Sequence, residues 1–514
     1  MIPSSQTSHP QPAASIRSSE DYLAHIPKRI AQLISGRETE VESALREGDP
    51  SALEWIADSA NVLEIEGQRI EPAEVSIASA PTIAEILGSS CTPPAATDHR
   101  PAIADLLHGR MVPQLFFAGA ATRFSRLAEG PLYFFDIWGA AERVLASDSG
   151  KPPSFAGSMT REEFGHILNA TRAAAAGPAP SSRMRIPLGA RILLSYRLSI
   201  ERLARAAGES PDRARKLIRL VVHVPESPEG QKILADLVAR RFCGFDPENV
   251  IAIPQPCFGG WGVSAGKVVP LPQSREFPYG HGYSTMQLIH GGAGKRWVGG
   301  AWNRLATDVL AHLGERGRFF ISTHRVNDLT QLFPGPIDLG RTAAGRRLVD
   351  SGHAVVIELV ANPHRQKGGN WVERKATGHR FLVEGMNAKA GAWPAFMETH
   401  RGAPYNAFRS LYDGEGLRRI LLRHSLADHL RVREAGPRGA AGSQNEGPAV
   451  GLYLESVTGD LTQIEEARPA AFRFSATEEI HDMKELKDLA EGIRAASRQD
   501  SDEEFRAMAL ESSI

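Results

Sequence analysis

The chain has 514 residues, 42% hydrophobic and 23% charged, with a net charge of −1. That length predicts more than one ordinary core, and the near-neutral balance excludes a broad basic face for nucleic acid. Cys91, Cys243 and Cys257 lie too far apart in sequence for a disulfide framework or a thiolate zinc site.

Residues 1–18 are rich in Ser, Pro and Gln and read as a disordered tail. Ser18 and Asp21 predict a helix start. Leu23, Ile26, Ile30, Leu33 and Ile34 then recur at helical spacing up to Gly36. A second helix and a third near Asp49-Pro50-Ser51 complete a helical N-terminal region, 19–108, with an extended patch around 62–78. From about 110, short apolar runs alternate with amphipathic stretches. Strands are expected at 115–119, 218–224, 249–255, 318–323, 354–360 and 380–386. Helices are expected at 161–175, 187–207, 229–241, 301–314 and 341–351. The alternation predicts an α/β fold with a doubly wound, mainly parallel sheet over 109–395, whose ligands bind at the carboxyl ends of the strands. A smaller C-terminal region, 396–514, carries a linker near 434–448, a charged helix at 476–498 and a frayed acidic end. The start has no secretory leader and no apolar run has the length of a membrane span. The expectation is a cytoplasmic protein with neither nucleic acid nor membrane as partner.

Three stretches carry candidate chemistry. In the first, LFFAGAATRF, a strand runs into Gly119, Ala120, Ala121, Thr122 and Arg123. Small residues let backbone N–H groups approach a phosphate, and Arg123 adds a planar fork for its oxygens. A plain strand-to-helix turn has the same composition. In the second, a strand ends at Gln255, whose amide can both donate and accept. A glycine-rich hairpin-like excursion follows, and then Pro278-Tyr279-Gly280-His281-Gly282. In the third, Lys367-Gly368-Gly369 opens a hairpin that turns at Gly378 and leads to Glu384 and Asn387. The run Gly291-Gly292-Ala293-Gly294-Lys295 lacks the leading Gly and trailing Ser or Thr of a P-loop and reads as a loop over the site. His223, at a strand end, is a further candidate for the cleft.

These motifs, in this order, resemble the UDP-sugar pyrophosphorylase family, which includes UTP–glucose-1-phosphate uridylyltransferases and UDP-N-acetylhexosamine pyrophosphorylases. The resemblance spans about 110–390. It implies a Rossmann-like nucleotidyltransferase domain and transfer of a uridylyl group from UTP to a sugar-1-phosphate, with Mg²⁺ as cofactor. It implies catalytic roles for Arg123, on the β- and γ-phosphates, and Lys367, on the sugar phosphate and α-phosphate. Nucleotide binding would fall to Gly119, Ala120, Gln255, Gly280 and His281, and sugar binding to Glu384 and Asn387. Three departures stand out: Gly119-Ala120 for a Gly-Gly pair, Leu132 where the family carries a lysine after Pro131, and the order Asn327-Asp328, which bears on Asp328 as a metal ligand. They motivate a second expectation, a catalytically degenerate member that binds a nucleotide or UDP-sugar without turnover. A third is a protein-interaction module built on helix 476–498.

Overall fold

The computed structural model describes residues 18–47, 64–65, 68–78, 98–117, 131–146, 159–174, 184–258, 261–270, 277–278, 281–325, 339–361, 369–378, 380–384, 392–400, 405–423, 428–435, 449–456, 470–473 and 486–513. A 12-stranded sheet forms its centre. Its strands in chain order, apart from a short one at Val75–Ile77, are β1 (Met111–Phe116), β2 (Leu220–Pro225), β3 (Val250–Gln255), β4 (Lys295–Val298), β5 (Ala301–Arg304), β6 (Phe320–Arg325), β7 (Val355–Ala361), β8 (Gly369–Arg374), β9 (Arg380–Glu384), β10 (Tyr405–Asp413) and β11 (Ala470–Arg473). Across the sheet they run β5-β4-β3-β2-β1-β6-β10-β7-β11. β3, β2, β1 and β6 are mutually parallel neighbours. β4 and β10 run against the rest of this path, so the expected mainly parallel α/β sheet is present, with antiparallel insertions.

The parallel centre forms because its strands are apolar on both faces, as sheets covered on both sides require. Alternate side chains serve two cores. Leu220, Val222 and Val224 pack into one, with the helices Ile137–Ala146, Arg161–Ala174, Leu188–Ala206 and Pro228–Ala239. Val221, Ile251 and Ile253 pack into the other, with Ile30, Ile34, Tyr283, Val309 and Leu417. The helix Ser19–Ile34 starts as its cap predicts, with Ser18 Oγ accepting from the Asp21 N–H at 3.0 Å. The excursion after β3 is a hairpin, Trp261–Ser264 against Lys267–Pro270, turned at Ala265 and Gly266, both at positive φ. It joins the hairpin Asp428–Ala435 and Ala449–Ser456 in a separate four-stranded sheet.

Several expectations are corrected. β1 starts at Met111, four residues before the expected 115. Pro113 disguises it, and is tolerated because the ladder with β2 opens only at Gln114. Residues 301–314 are not one helix. Ala301–Arg304 pairs with Lys295–Val298 in a hairpin turned at Gly299-Gly300, and only Val309–Gly314 is helical. Lys295 therefore belongs to a strand paired with β3 at Ala252, not to a loop over the site. Of the linker expected near 434–448, Glu434 and Ala435 are strand, paired with Val450 and Ala449, and 436–448 lies outside the described residues.

The chain end is also helical. Glu503–Glu511 is capped by Asp502 and buries Phe505. It is held to the helix Leu188–Ala206 by Arg202–Asp502 and Arg205–Glu504 ion pairs. The preceding helix, Leu486–Ser501, is anchored from below, where fully buried Arg191 donates to Gln499 and Asp500 at 3.0 and 2.9 Å. The apolar face of this described part, Leu486–Ser501, thereby packs inside the molecule; residues 476–485 of the helix expected at 476–498 lie outside the described residues. No described helix is long and apolar enough to cross a membrane.

Candidate active site

The C-terminal edge of the parallel strands is the place where a ligand is expected. Gln255 is the last residue of β3 and is buried, at 4% exposure. Its carbonyl accepts from the Glu226 N–H at 2.7 Å, which fixes the strand end to the turn after β2. Just beyond, Cys257–Phe258 pairs antiparallel with Phe277–Pro278, with Cys257 opposite Pro278. In an antiparallel pair the residues before one partner and after the other lie at the same end. Gln255 and His281, the first residue of the helix His281–Met286, are therefore brought to one end of this pair. The side chain of Gln287, in the turn after that helix, donates to the Pro254 carbonyl at 2.8 Å and ties the segment to β3.

At the other end of the edge, β8 and β9 form the expected hairpin, with Gly378 at φ +67° in its turn. Gly369 pairs with Glu384 across the hairpin and with Tyr405 of β10. The end of the Lys-Gly-Gly motif, Glu384 and the start of β10 are thus neighbours. β7 covers the far edge of β10 as far as Tyr405, so the hairpin enters on the edge of β10 that faces β6.

Between them, polar groups replace the hydrocarbon of the strand interiors. Gln114 on β1 and His223 on β2 are both fully buried and joined at 2.8 Å, Gln114 Nε2 to His223 Nε2. The amide nitrogen donates, so the imidazole proton is assigned to Nδ1. The His223 ring stacks on Phe116 at 5.0 Å, and its carbonyl accepts from Phe117 N–H at 2.9 Å. His223 supports the strand end that leads into residues 118–130 and does not line an open cleft. His324, near the end of β6, is 7% exposed. Its Nε2 lies 3.0 Å from Ser322 Oγ, and Nδ1 has no hydrogen-bond partner. Burial pushes its imidazole down to about 3, and the nearby Arg409 guanidinium adds to the shift, so it is neutral near pH 7.

Arg123, Gly119, Ala120, Gly280, Lys367, Asn387 and Asp328 lie outside the described residues, and the edge geometry rests on Gln255, His281, Gly369 and Glu384. Leu132 is described. It sits in a short turn, Leu132–Phe134, is 4% exposed, and belongs to the main core. The position where the family carries its lysine is here a core residue. Among the described residues no group of three His, Cys, Asp or Glu side chains is placed to hold a metal. Sequence reasoning missed His324, whose signal was the polar run Ser322-Thr323-His324 late in its strand.

The sequence matches no family model, and no curated protein matches it. Solved structures do resemble the fold. The UDP-N-acetylglucosamine pyrophosphorylase from Trypanosoma brucei superposes with a TM-score of 0.50 at 14% identity, over 91% of this chain and 84% of that one. The chain shares its fold. Two further matches are a putative UDP-N-acetylglucosamine pyrophosphorylase from Entamoeba histolytica, at 13% identity, 80% and 83% coverage and a TM-score of 0.47, and a UDP-glucose phosphorylase from Trypanosoma brucei, at 12% identity, 90% and 77% coverage and 0.47. The fold assignment rests on the first.

Proposed function

We propose that this chain is a nucleotidyltransferase that moves a uridylyl group from UTP to a sugar-1-phosphate. An oxygen of the sugar phosphate attacks the α-phosphorus, the bond to the β-phosphate breaks, and pyrophosphate leaves with the electron pair. Such chemistry asks a protein mainly to position its reactants and to neutralise charge. The observation that carries the reading is the register at the sheet edge: Gln255 beside the start of the His281 helix at one end, Glu384 against Gly369 at the other. In this reading Gln255 and the Gly280 backbone read uracil, and His281 meets the ribose or α-phosphate. Arg123 and the Gly119-Ala120 backbone hold the outer phosphates, Lys367 holds the acceptor phosphate, and Glu384 and Asn387 take sugar hydroxyls. Mg²⁺ would arrive held mostly by the triphosphate, with Asp328 as a protein ligand, and would neutralise phosphate charge.

The reading is tested by pyrophosphate release from UTP and Mg²⁺ over a panel of sugar-1-phosphates, beside Arg123→Ala. Turnover that collapses in the variant supports it; a folded protein silent on the whole panel overturns it. Buried Leu132 favours a second reading, binding of a nucleotide or UDP-sugar without turnover. Its signature is ligand-induced stabilisation with no pyrophosphate released.

A further inference from the structure

β3 outruns the strand at its outer edge. β4 meets it at Lys295–Ala252 and Arg296–Ile251 and runs back toward its start, so beyond Ala252 the ladder of β3 among the described residues is with β2 alone. An edge left open in this way must be satisfied by other groups. Pro254 has no N–H to satisfy and suits such an edge. Its carbonyl is taken by a side chain: Gln287 Nε2 donates to it at 2.8 Å. The carbonyl of Gln255, one residue on, accepts from the Glu226 N–H at 2.7 Å, on the β2 side. The end of β3 is thus held from both sides, with an amide standing in for the missing strand on one of them.

The amide is kept there at a cost. Gln287 is 1% exposed, and its neighbours Leu288 and Ile289 fill the second core. Its Oε1 has no hydrogen-bond partner among the described residues. A buried acceptor left unpaired is unfavourable, and a methionine would fill similar space without one. What the amide adds is the single bond to Pro254. That bond joins positions 33 residues apart in the chain. It ties the residue before Gln255 to the turn that closes the helix His281–Met286, and these are the two segments that the reading above places around uracil.

We infer that Gln287 is a positioning residue for the nucleotide base: by holding the Pro254 carbonyl it sets Gln255 against the Gly280-His281 turn, so that uracil meets both at once. It acts through Gln255 and does not itself touch the nucleotide. A hydrogen bond that reads a base tolerates little displacement of its partners, so the loss of this one buried bond is felt as lost affinity for the base. This inference rests on the nucleotidyltransferase reading above.

The test is steady-state kinetics of wild type, Gln287→Met, Gln255→Ala and the double variant, with each fold checked by its thermal transition. Gln287→Met should raise the KM for UTP about tenfold and leave kcat and the KM for the sugar-1-phosphate within about twofold of wild type. Because Gln287 acts through Gln255, the double variant should match Gln255→Ala in kcat/KM for UTP to within about threefold, whereas independent effects would multiply to about a hundredfold. A folded Gln287→Met with a lowered thermal transition and an unaltered KM for UTP, or a cycle in which the two effects multiply, overturns the inference and leaves the proposed activity standing. If Gln287→Met does not fold, Gln287→Asn, which keeps the amide but falls short of the carbonyl, takes its place; if neither folds, the residue is structural and the inference falls. If wild type turns over no substrate, the activity fails. The inference is then decided by titration with UTP and UDP-glucose: weaker binding by Gln287→Met supports it, while equal binding, or no binding by wild type, overturns it.

Discussion

The two edges of the parallel sheet handle polar groups in opposite ways. At the N-terminal edge the charges are dense and matched. Asp105, 5% exposed at its side chain, lies 2.9 Å from Arg110 and 2.6 Å from Arg346. Arg346 also pairs with Asp350, and Arg318 with Asp350 and Asp413. Arg318 and Arg346 lie over the Phe320 ring at 4.9 and 4.5 Å. Arg219 donates to the carbonyls of Gly109 and Leu313, and burial lowers its guanidinium to about 10. Toward the C-terminal ends of β1, β2, β3 and β6 the buried polar groups include the amides and imidazoles of Gln114, His223, Gln255 and His324, and at a similar level on β7 and β10 buried Glu358 stands opposite Arg409. The first arrangement closes the edge of the molecule. The second leaves amides and imidazoles at the strand ends, which would suit the anionic ligand proposed above.

Four substitutions or conditions break this comparison if it is wrong. The largest expected effect is at Leu132→Lys. Placing an ammonium in the main core without a partner costs on the order of 3 kcal/mol or more, so the urea midpoint falls and activity does not rise. A variant as stable as wild type and faster would mean that Leu132 does not belong to the core. Next is Asp105→Ala, which leaves Arg346 facing the same buried position; breaking such a pair costs about 3 kcal/mol. Chemical denaturation should show that loss while KM for UTP stays put. Gln255→Ala is the mirror image: KM for UTP should rise about tenfold, the loss expected for a buried specific hydrogen bond at a reading site. A variant that unfolds as readily as Asp105→Ala would make Gln255 a structural residue.

The last effect is with pH. The imidazoles of His290 and His324 lie at about 4 and about 3 in the fold, both mainly through burial, against an ordinary 6.5. Above 6.5 both are neutral folded and unfolded and contribute no slope. Below it the unfolded chain takes up protons first, so stability is lost as pH falls from 6.5 toward 4 and then 3. Melting temperatures between pH 7.5 and 5 should drop, and His324→Gln should flatten the drop; an unchanged slope would mean that His324 is not buried as described.

Much of the sheet was legible because its strands are continuous apolar runs. Val250–Gln255 and Val355–Ala361 announce themselves, and their helices are amphipathic on the side that packs. The errors share a cause: short or interrupted strands carry too little periodicity. Pro113 hid the start of β1. The hairpin Lys295–Arg304, with two glycines in its turn and a Trp297–Trp302 cross-strand pair, was divided, Lys295 read into a loop and 301–304 into a helix. The strands at 428–435 and 449–456 pair with each other, and Leu452 meets Trp261 far earlier in the chain, a pairing no local pattern reveals. At the site, Gln255 was legible from its strand and Glu384 from its hairpin. His324 was not, because its burial at the end of β6 is a product of tertiary packing.

The measurement that bears most directly on the central claim is pyrophosphate release by the purified protein, with UTP and Mg²⁺, on glucose-, galactose-, N-acetylglucosamine- and N-acetylgalactosamine-1-phosphates, with Gln255→Ala and Arg123→Ala run alongside. Turnover on at least one sugar phosphate, weakened in UTP affinity by the first variant and abolished by the second, is the predicted result. A folded wild-type protein that releases no pyrophosphate from any of the four would contradict it.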